Sequence, residues 1–465
     1  MLNAITKSMR DSAKVRWTVV ALVSFTMLCG YIITDVMAPL KTMIEQELGW
    51  DSYDYGIFTS GYGWLNVFVF MLIISGIVLD KAGVRFTGVA STVVMIIGAG
   101  MKYWALSTTF DNPVITCSIG SWELFSMKRQ VLFAAVGFAI FGMGVEAVGI
   151  TATKAIVRWF KGKEMALALG LNVATARIGT LLAMAVSPII AQRFSHPSKP
   201  LMFCVLMLMV GLLSFLVFCV LDRRLDRQEQ DVDDENKEEF RLRDIVGIVR
   251  IKSFWYIAAL CVLFYSAVFP FLKYASDLMV QKFGVEGSLA GLIPSLLPLG
   301  TLFLTPLFGS IYDKKGRGAT IMIIGSVMLI AIHLLFAVPA LDNWVVAVAL
   351  MILLGVAFSM VPSAMWPSVP KIIDERRLGT AYSLIFWIQN WGLMGVPLLI
   401  GYILDRPFCK VGVQVLDGVT TPVYDYTVPM LVFAAFGLLG LVFALLLKSD
   451  DKKQGYGLEE PNIDK

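Results

Sequence analysis

Glu146 and Arg177 are the residues whose types and setting point to chemistry. Both lie in Gly142–Thr180 (GMGVEAVGITATKAIVRWFKGKEMALALGLNVATARIGT), two apolar stretches joined by a basic turn. Counted from that turn, Glu146 is about nine residues along one stretch and Arg177 about thirteen along the other, roughly 14 and 20 Å by helical rise. An ion that deep in apolar surroundings needs a partner, a water-filled cavity or a charged ligand. Two arrangements meet the demand. In one, the pair is a salt bridge that holds two helices together. In the other, both charges face a cavity and grip opposite ends of a zwitterion, Glu146 the ammonium and Arg177, with its planar fork, the carboxylate. A small peptide has those ends.

Polar residues in other apolar runs widen the candidate set. Tyr62 and Asn66 share a helical face at i, i+4. Tyr265, Phe269, Pro270 and Lys273 fall in one run, where Pro270 invites a bend that frees a backbone carbonyl. Lys273 lies near enough to the surface to act as a gate or to snorkel. Trp366 follows Pro362, and Gln389 and Asn390 interrupt a further run, each amide requiring a partner. The expected substrate contacts are therefore Glu146, Arg177, Tyr62, Asn66, Tyr265, Lys273, Trp366, Gln389 and Asn390. Asp35, beside Thr34, reads equally as a helix cap or as an attractor of an amine or proton. His333 reads as an ordinary satisfied histidine, Asn172 points away from Arg177, and Gly142, Gly149, Gly170 and Ala174 read as packing residues.

These residues are positioned by a chain for which lipid is the solvent. Its 465 residues are 57% hydrophobic, 12% aromatic and 16% charged, with a mean hydropathy of +0.74. That composition excludes an ordinary soluble domain. A net charge of +4 spread over short loops argues orientation and excludes nucleic-acid binding. The six cysteines have no metal-ligand spacing; four read as small core residues, while a bridge can be drawn between Cys117 and Cys409 in loops opposite the basic ones. No phosphate-cradling loop, nucleophile elbow or metal cluster is present, so catalysis and cofactors are not expected.

Apolar runs of about 20 residues recur about twelve times, each long enough to span a bilayer. They fall near 17–40, 54–79, 85–107, 130–155, 164–191 and 200–222, and again near 253–276, 286–312, 318–338, 343–370, 377–404 and 428–448. The expected divisions are a leader (1–16), a first six-helix bundle (17–222), a charged linker (223–252) with room for a short surface helix, a second bundle (253–448) and a tail (449–465). Basic residues, among them Lys7, Lys81, Arg85, Lys161, Lys314, Arg317 and Arg376, share loops of one parity with the leader. Both termini and the linker are accordingly expected in the cytoplasm. The loops 108–130 and 405–427 are then the long external ones.

A repeat relates the two halves. GIVLDKAG at Gly76–Gly83 and GSIYDKKG at Gly309–Gly316 share the pattern GxxxDKxG at equivalent places. The glycine allows close helix contact, the aspartate pairs with a neighbouring helix end, and the basic residues hold the turn at the anionic leaflet. Asp80, Lys81, Arg85, Asp313, Lys314 and Arg317 are thus the expected conformational latches. Two copies in register, with six spans each, resemble the major facilitator superfamily. The resemblance implies an all-α membrane protein of twelve transmembrane helices in two pseudo-symmetric six-helix bundles. It also implies a cavity between them and rocking-bundle alternating access.

A narrower likeness appears at the candidate residues. WFKGKE (Trp159–Glu164), ARIGT (Ala176–Thr180), AVFPF (Ala267–Phe271), AMWP (Ala364–Pro367), LGTAYSLIFWIQNWGL (Leu378–Leu393) and YGWLN (Tyr62–Asn66) look like the lysosomal dipeptide transporter branch. That branch implies facilitated diffusion of dipeptides, with the acid and the arginine matching Glu146 and Arg177 reading the peptide termini. The chain has no Asn-x-Ser/Thr sequon and no acidic dileucine near its start, so a bacterial inner membrane is expected over a lysosome, with uniport and proton coupling both open. The expected partners are a dipeptide, with or without a proton, and the bilayer; a monomer is expected. Two rival readings remain. One is an organic-anion or sugar-phosphate exchanger using Arg177 and Lys273; the other is a transporter-like sensor or scaffold.

Overall fold

The computed structural model describes residues 9–110, 113–119, 122–160, 163–228, 242–374, 377–416 and 419–462. Lys7, Lys161, Arg376, residues 229–241 of the charged linker and the Cys117 side chain fall outside them. The first bundle contains α1 (Ala13–Asp35), α2 (Lys41–Leu48), α3 (Ser52–Phe68), α4 (Met71–Ser107), α5 (Arg129–Phe160), α6 (Met165–Arg193) and α7 (Ser198–Gln228). After a short linker helix, α8 (Leu242–Val249), come α9 (Lys252–Gln281), α10 (Leu292–Lys315), α11 (Gly318–Ala337), α12 (Trp344–Ile372), α13 (Leu378–Leu404) and α14 (Thr427–Gln454). Helix dominates because an apolar chain in lipid must satisfy its backbone polar groups internally. Among the described residues, eleven helical segments are long and apolar enough to cross a membrane; α3, continued by the start of α4, makes the twelfth crossing.

The long loops expected on one side are antiparallel β-hairpins, β1 (Val114–Ile119) with β2 (Trp122–Lys128) and β3 (Lys410–Leu416) with β4 (Val419–Tyr424). Their side is called the hairpin face here, and the side where α1 begins and α14 ends the terminal face. Cys409 is a buried free thiol, so no bridge to Cys117 is formed.

The second crossing departs from a continuous run. It breaks at Val69–Phe70, where Phe70 has φ 55°, a conformation costly for a bulky residue. Trp387 of α13 accounts for it: its ring stacks on Phe70 at 5.2 Å and its indole N–H donates to the Val67 carbonyl at 3.0 Å. Contact with the opposite bundle thus satisfies a backbone group near the break.

Both repeat glycines are used for their conformation. Gly83 has φ 79° and Gly316 φ 69°, a region open to glycine at little cost. Around them the two halves differ. Asp80 pairs with Lys154 of α5, and Arg85 pairs with Asp222 at 3.1 Å and with Asp226. In the second half, residues 455–462 turn back beneath the bundle. Asn462 donates to Asp313 at 2.8 Å, Arg317 N–H donates to the Glu459 carbonyl at 2.9 Å, and the Glu459 carboxylate accepts from Thr320 N–H at 2.8 Å, capping the first turn of α11. The Lys81, Lys314 and Arg317 side chains are exposed.

The bundles meet on the hairpin side. Lys273 of α9 donates to Asp35 at 2.6 Å and to the Thr34 carbonyl at 2.8 Å. Buried Lys41 joins Glu45 at 2.7 Å and Asp277 of α9 at 2.8 Å. Tyr424 and Tyr426 close that cluster by donating to Glu45 and Asp277 respectively. Down the α3–α13 contact, Trp387 to Val67 is the last cross-bundle hydrogen bond towards the terminal face among the described residues. Beyond it, ion pairs and side-chain hydrogen bonds among those residues stay within one bundle. The hairpin face is sealed by these contacts.

Candidate functional site

Gly142 and Glu146 are one turn apart on α5, and that spacing builds the acidic end of the site. A side chain at Gly142 would collide with the Tyr62 carbonyl, so only glycine lets α3 approach this closely. The approach delivers the Tyr62 hydroxyl to Glu146, to which it donates at 2.6 Å. Both side chains are half-buried.

Arg177 is presented from α6. Two residues further on, Gly179 packs against the Leu28 carbonyl and Tyr31 of α1, which brings Tyr31 within electrostatic reach of both Glu146 and Arg177. The guanidinium does not bond Glu146; among the described residues no ion pair joins them. It leans instead across the bundle interface, 5.6 Å from the Phe269 ring centroid and 5.5 Å from that of Phe358, within cation–π range. Asn172 turns away, as its spacing implies, accepting from Ser24 at 2.9 Å.

The second bundle supplies an aromatic wall. Tyr265 packs on Phe269 and Phe358, each at 5.5 Å, and its hydroxyl accepts from the Trp366 indole at 3.0 Å. Trp366 stacks on Phe386 at 4.8 Å. Among the described residues, an acid with one hydroxyl donor, a guanidinium over two rings and an aromatic wall are thus gathered at the bundle interface.

Other expected contacts lie elsewhere. Lys273 is committed to Asp35 in the seal, which also gives Asp35 an ion-pair role in place of a cap. Asn66, fully buried, faces Asn390 across the α3–α13 contact at 3.5 Å. Gln389 points into the second bundle, where it accepts from Cys261 at 3.6 Å. Adjacent helical residues diverge by about 100°, so Gln389 and Asn390 cannot share a target. His333 is buried and bonded to the Ala267 carbonyl at 2.9 Å, next to the carbonyl that Pro270 deprives of its helical donor.

Sequence reasoning missed Tyr31 and Phe358 at the site, and Lys41, Glu45, Asp277 and Lys102 near the hairpin face. Tyr31 is one helical turn before Asp35, a spacing that could have marked it. Lys102 lies near the end of the apolar run 85–107, where a lysine ordinarily reaches water.

The profile of the Major Facilitator Superfamily matches residues 20–397. The chain belongs to this superfamily. Among curated relatives, the lysosomal dipeptide transporter MFSD1 of Danio rerio is 27% identical over 401 residues, covering 81% of this chain and 78% of the relative. In the solved structures, this facilitator superfamily member resembles the nucleoside transporter NupG, with a TM-score of 0.67 and 16% identity over 93% of this chain and 98% of the other. A bacterial homologue of the human lysosomal transporter Spinster, solved inward-facing and occupied, gives 0.66 and 13% over 95% and 98%. At those identities the structures speak for the fold alone. They agree with twelve helices in two pseudo-symmetric bundles, an integral multi-pass membrane protein. The family and the relatives are transporters, and the relatives' lysosomal naming lends no support to the expected bacterial inner membrane.

Proposed function

We propose that this facilitator moves small peptides, dipeptides foremost, across a membrane by alternating access of the cleft between its bundles. Glu146, oriented by Tyr62, takes the peptide ammonium. Arg177 takes the carboxylate, and the wall of Tyr265, Phe269, Phe358 and Trp366 accommodates the apolar remainder. The observation that carries this reading is that Glu146 and Arg177 share a site without pairing. Two mutually bonded charges would be a strut; two charges held apart are binding groups awaiting counter-charges. The similarity to the dipeptide transporters named above supports the same choice. The organic-anion reading loses one of its two cations, because Lys273 is engaged by Asp35.

Thermal shift of the purified protein tests the substrate class. Dipeptides should stabilise it, while dicarboxylates and sugar phosphates should not; the reverse ranking would favour an anion exchanger. Uptake into proteoliposomes separates a transporter from a sensor, which would bind without flux. Accumulation that follows an imposed pH gradient would identify proton coupling, and indifference to the gradient uniport.

A further inference from the structure

Lys102 of α4 is fully buried, yet no carboxylate lies within ion-pair distance of it among the described residues. Its ammonium sits 4.0 Å from the Phe138 centroid and 5.2 Å from that of Phe58, and donates to the Ile33 carbonyl at 3.2 Å. It cannot easily withdraw to the surface. Gly98 and Gly137 bring the backbones of α4 and α5 together beside it, so closely that a side chain at Gly137 would meet the Lys102 backbone. Two rings and one carbonyl are a weak substitute for water around a buried cation.

The environment of Asp35 gives this lysine a purpose. Ammonium groups approach the end of α1 from both bundles, Lys102 at Ile33 and Lys273 at Thr34 and Asp35. Asp35 and Lys273 both lie within electrostatic reach of Lys102. Only Lys102 belongs to the same bundle as Asp35. If the bundles part at the hairpin face, Lys273 leaves with α9 and Lys102 stays. The neighbouring cluster follows the same logic: on parting, Lys41 keeps Glu45 within the first bundle, and Asp277 keeps Tyr426 within the second.

We propose that Lys102 is the alternate partner of Asp35, which exchanges from Lys273 in the hairpin-closed state to Lys102 in the hairpin-open state. The buried acid is then never left without a cation, and opening loses one ion pair while gaining another. Lys273, on the rim of the parted interface, is left to water. Lys102 is a positioning residue for the conformational change and touches no substrate. The inference rests on alternating access but on no particular substrate, so its failure would leave the dipeptide reading intact.

Spin labels on Glu47→Cys of α2 and Glu286→Cys of the α9–α10 loop, both exposed positions on opposite bundles, read the opening of the hairpin face once the native cysteines are replaced. Lys102→Met should reduce the long-distance, open population about ten-fold or more, because Asp35 then opens into isolation. Adding Asp35→Asn should restore it, since no acid remains to be paired. A structural role for Lys102 alone predicts instead that the double variant stays as shut as Lys102→Met. An open population in Lys102→Met equal to that of the unsubstituted protein, or a shut double variant, would overturn the proposal. Should the methionine variant not fold, Lys102→Arg carries the test: it keeps a cation beside Phe138 and should keep the open population, and a shut protein would count against the exchange.

Discussion

The Tyr62 hydroxyl donates to Glu146 at 2.6 Å, and no bond runs from that carboxylate to Arg177. The acid is thus oriented by a neutral group from α3, and in the proposed reading it is left to meet the ammonium of a ligand. A hydrogen bond to a charged group contributes on the order of 2 kcal/mol. Tyr62→Phe should therefore weaken dipeptide binding by up to about thirty-fold with the fold intact. Isothermal titration would show it, and N-acetylated dipeptides, lacking the ammonium, should be insensitive to the change.

The Lys273 and Asp35 side chains are 13% and 9% exposed, so their pair is largely removed from water. Lys273→Met should move the protein towards the hairpin-open state. A cysteine replacing Thr42, which donates to Asp277 at 2.9 Å inside the seal, should then react with an impermeant maleimide about ten-fold faster. An unchanged labelling rate would mean that the pair does not hold the seal.

Gly83 and Gly316 share a backbone conformation but not surroundings. An alanine at 83 would meet nothing within 4 Å, whereas one at 316 would collide with the Glu459 backbone. Gly83→Ala should cost about 1–3 kcal/mol, the strain of a conformation (φ 79°, ψ 170°) that is essentially glycine's alone. Gly316→Ala should cost distinctly more. Truncation after Gln454 should bring the two to parity in thermal melts.

His196 lies in the turn between α6 and α7, bonded through Nδ1 to the Ser198 hydroxyl at 2.8 Å. Partial burial holds its pKa below the ordinary 6.5. The fold therefore favours the neutral ring, and the unfolded chain binds the proton more readily. The stabilisation is complete above pH 6.5 and falls as the pH drops through that value towards the lower folded one. His196→Gln should flatten this part of the melting temperature against pH; a profile unchanged by the substitution would remove His196 as its source.

The crossings and the repeat were legible in sequence because hydrocarbon imposes length on a helix, and Glu146 and Arg177 stand out in it because hydrocarbon makes an ion conspicuous. The hairpins were not, since short alternating segments such as Lys410–Leu416 look like polar loop. Nor was the break at Phe70, which depends on Trp387 from a distant part of the chain. Lys41, Lys102 and Asp277 went unread because charges near the end of an apolar run are ordinarily free to reach water. Whether they do is decided by what packs over them: the opposite bundle for Lys41 and Asp277, the α4–α5 contact for Lys102. The same fact explains Lys273, whose sequence suits gate and snorkel equally and whose role is set by Asp35.

In the proposed reading, Glu146 and Arg177 bind the two ends of a peptide. The decisive measurement is the affinity of one dipeptide in free, N-acetylated and C-amidated forms for the unsubstituted protein, Glu146→Gln and Arg177→Lys. Each blocked form should bind at least about ten-fold more weakly to the unsubstituted protein. N-acetylation should matter little to Glu146→Gln and amidation little to Arg177→Lys. If blocking either end leaves binding to the unsubstituted protein unchanged, the two charges are structural and the account of the site fails.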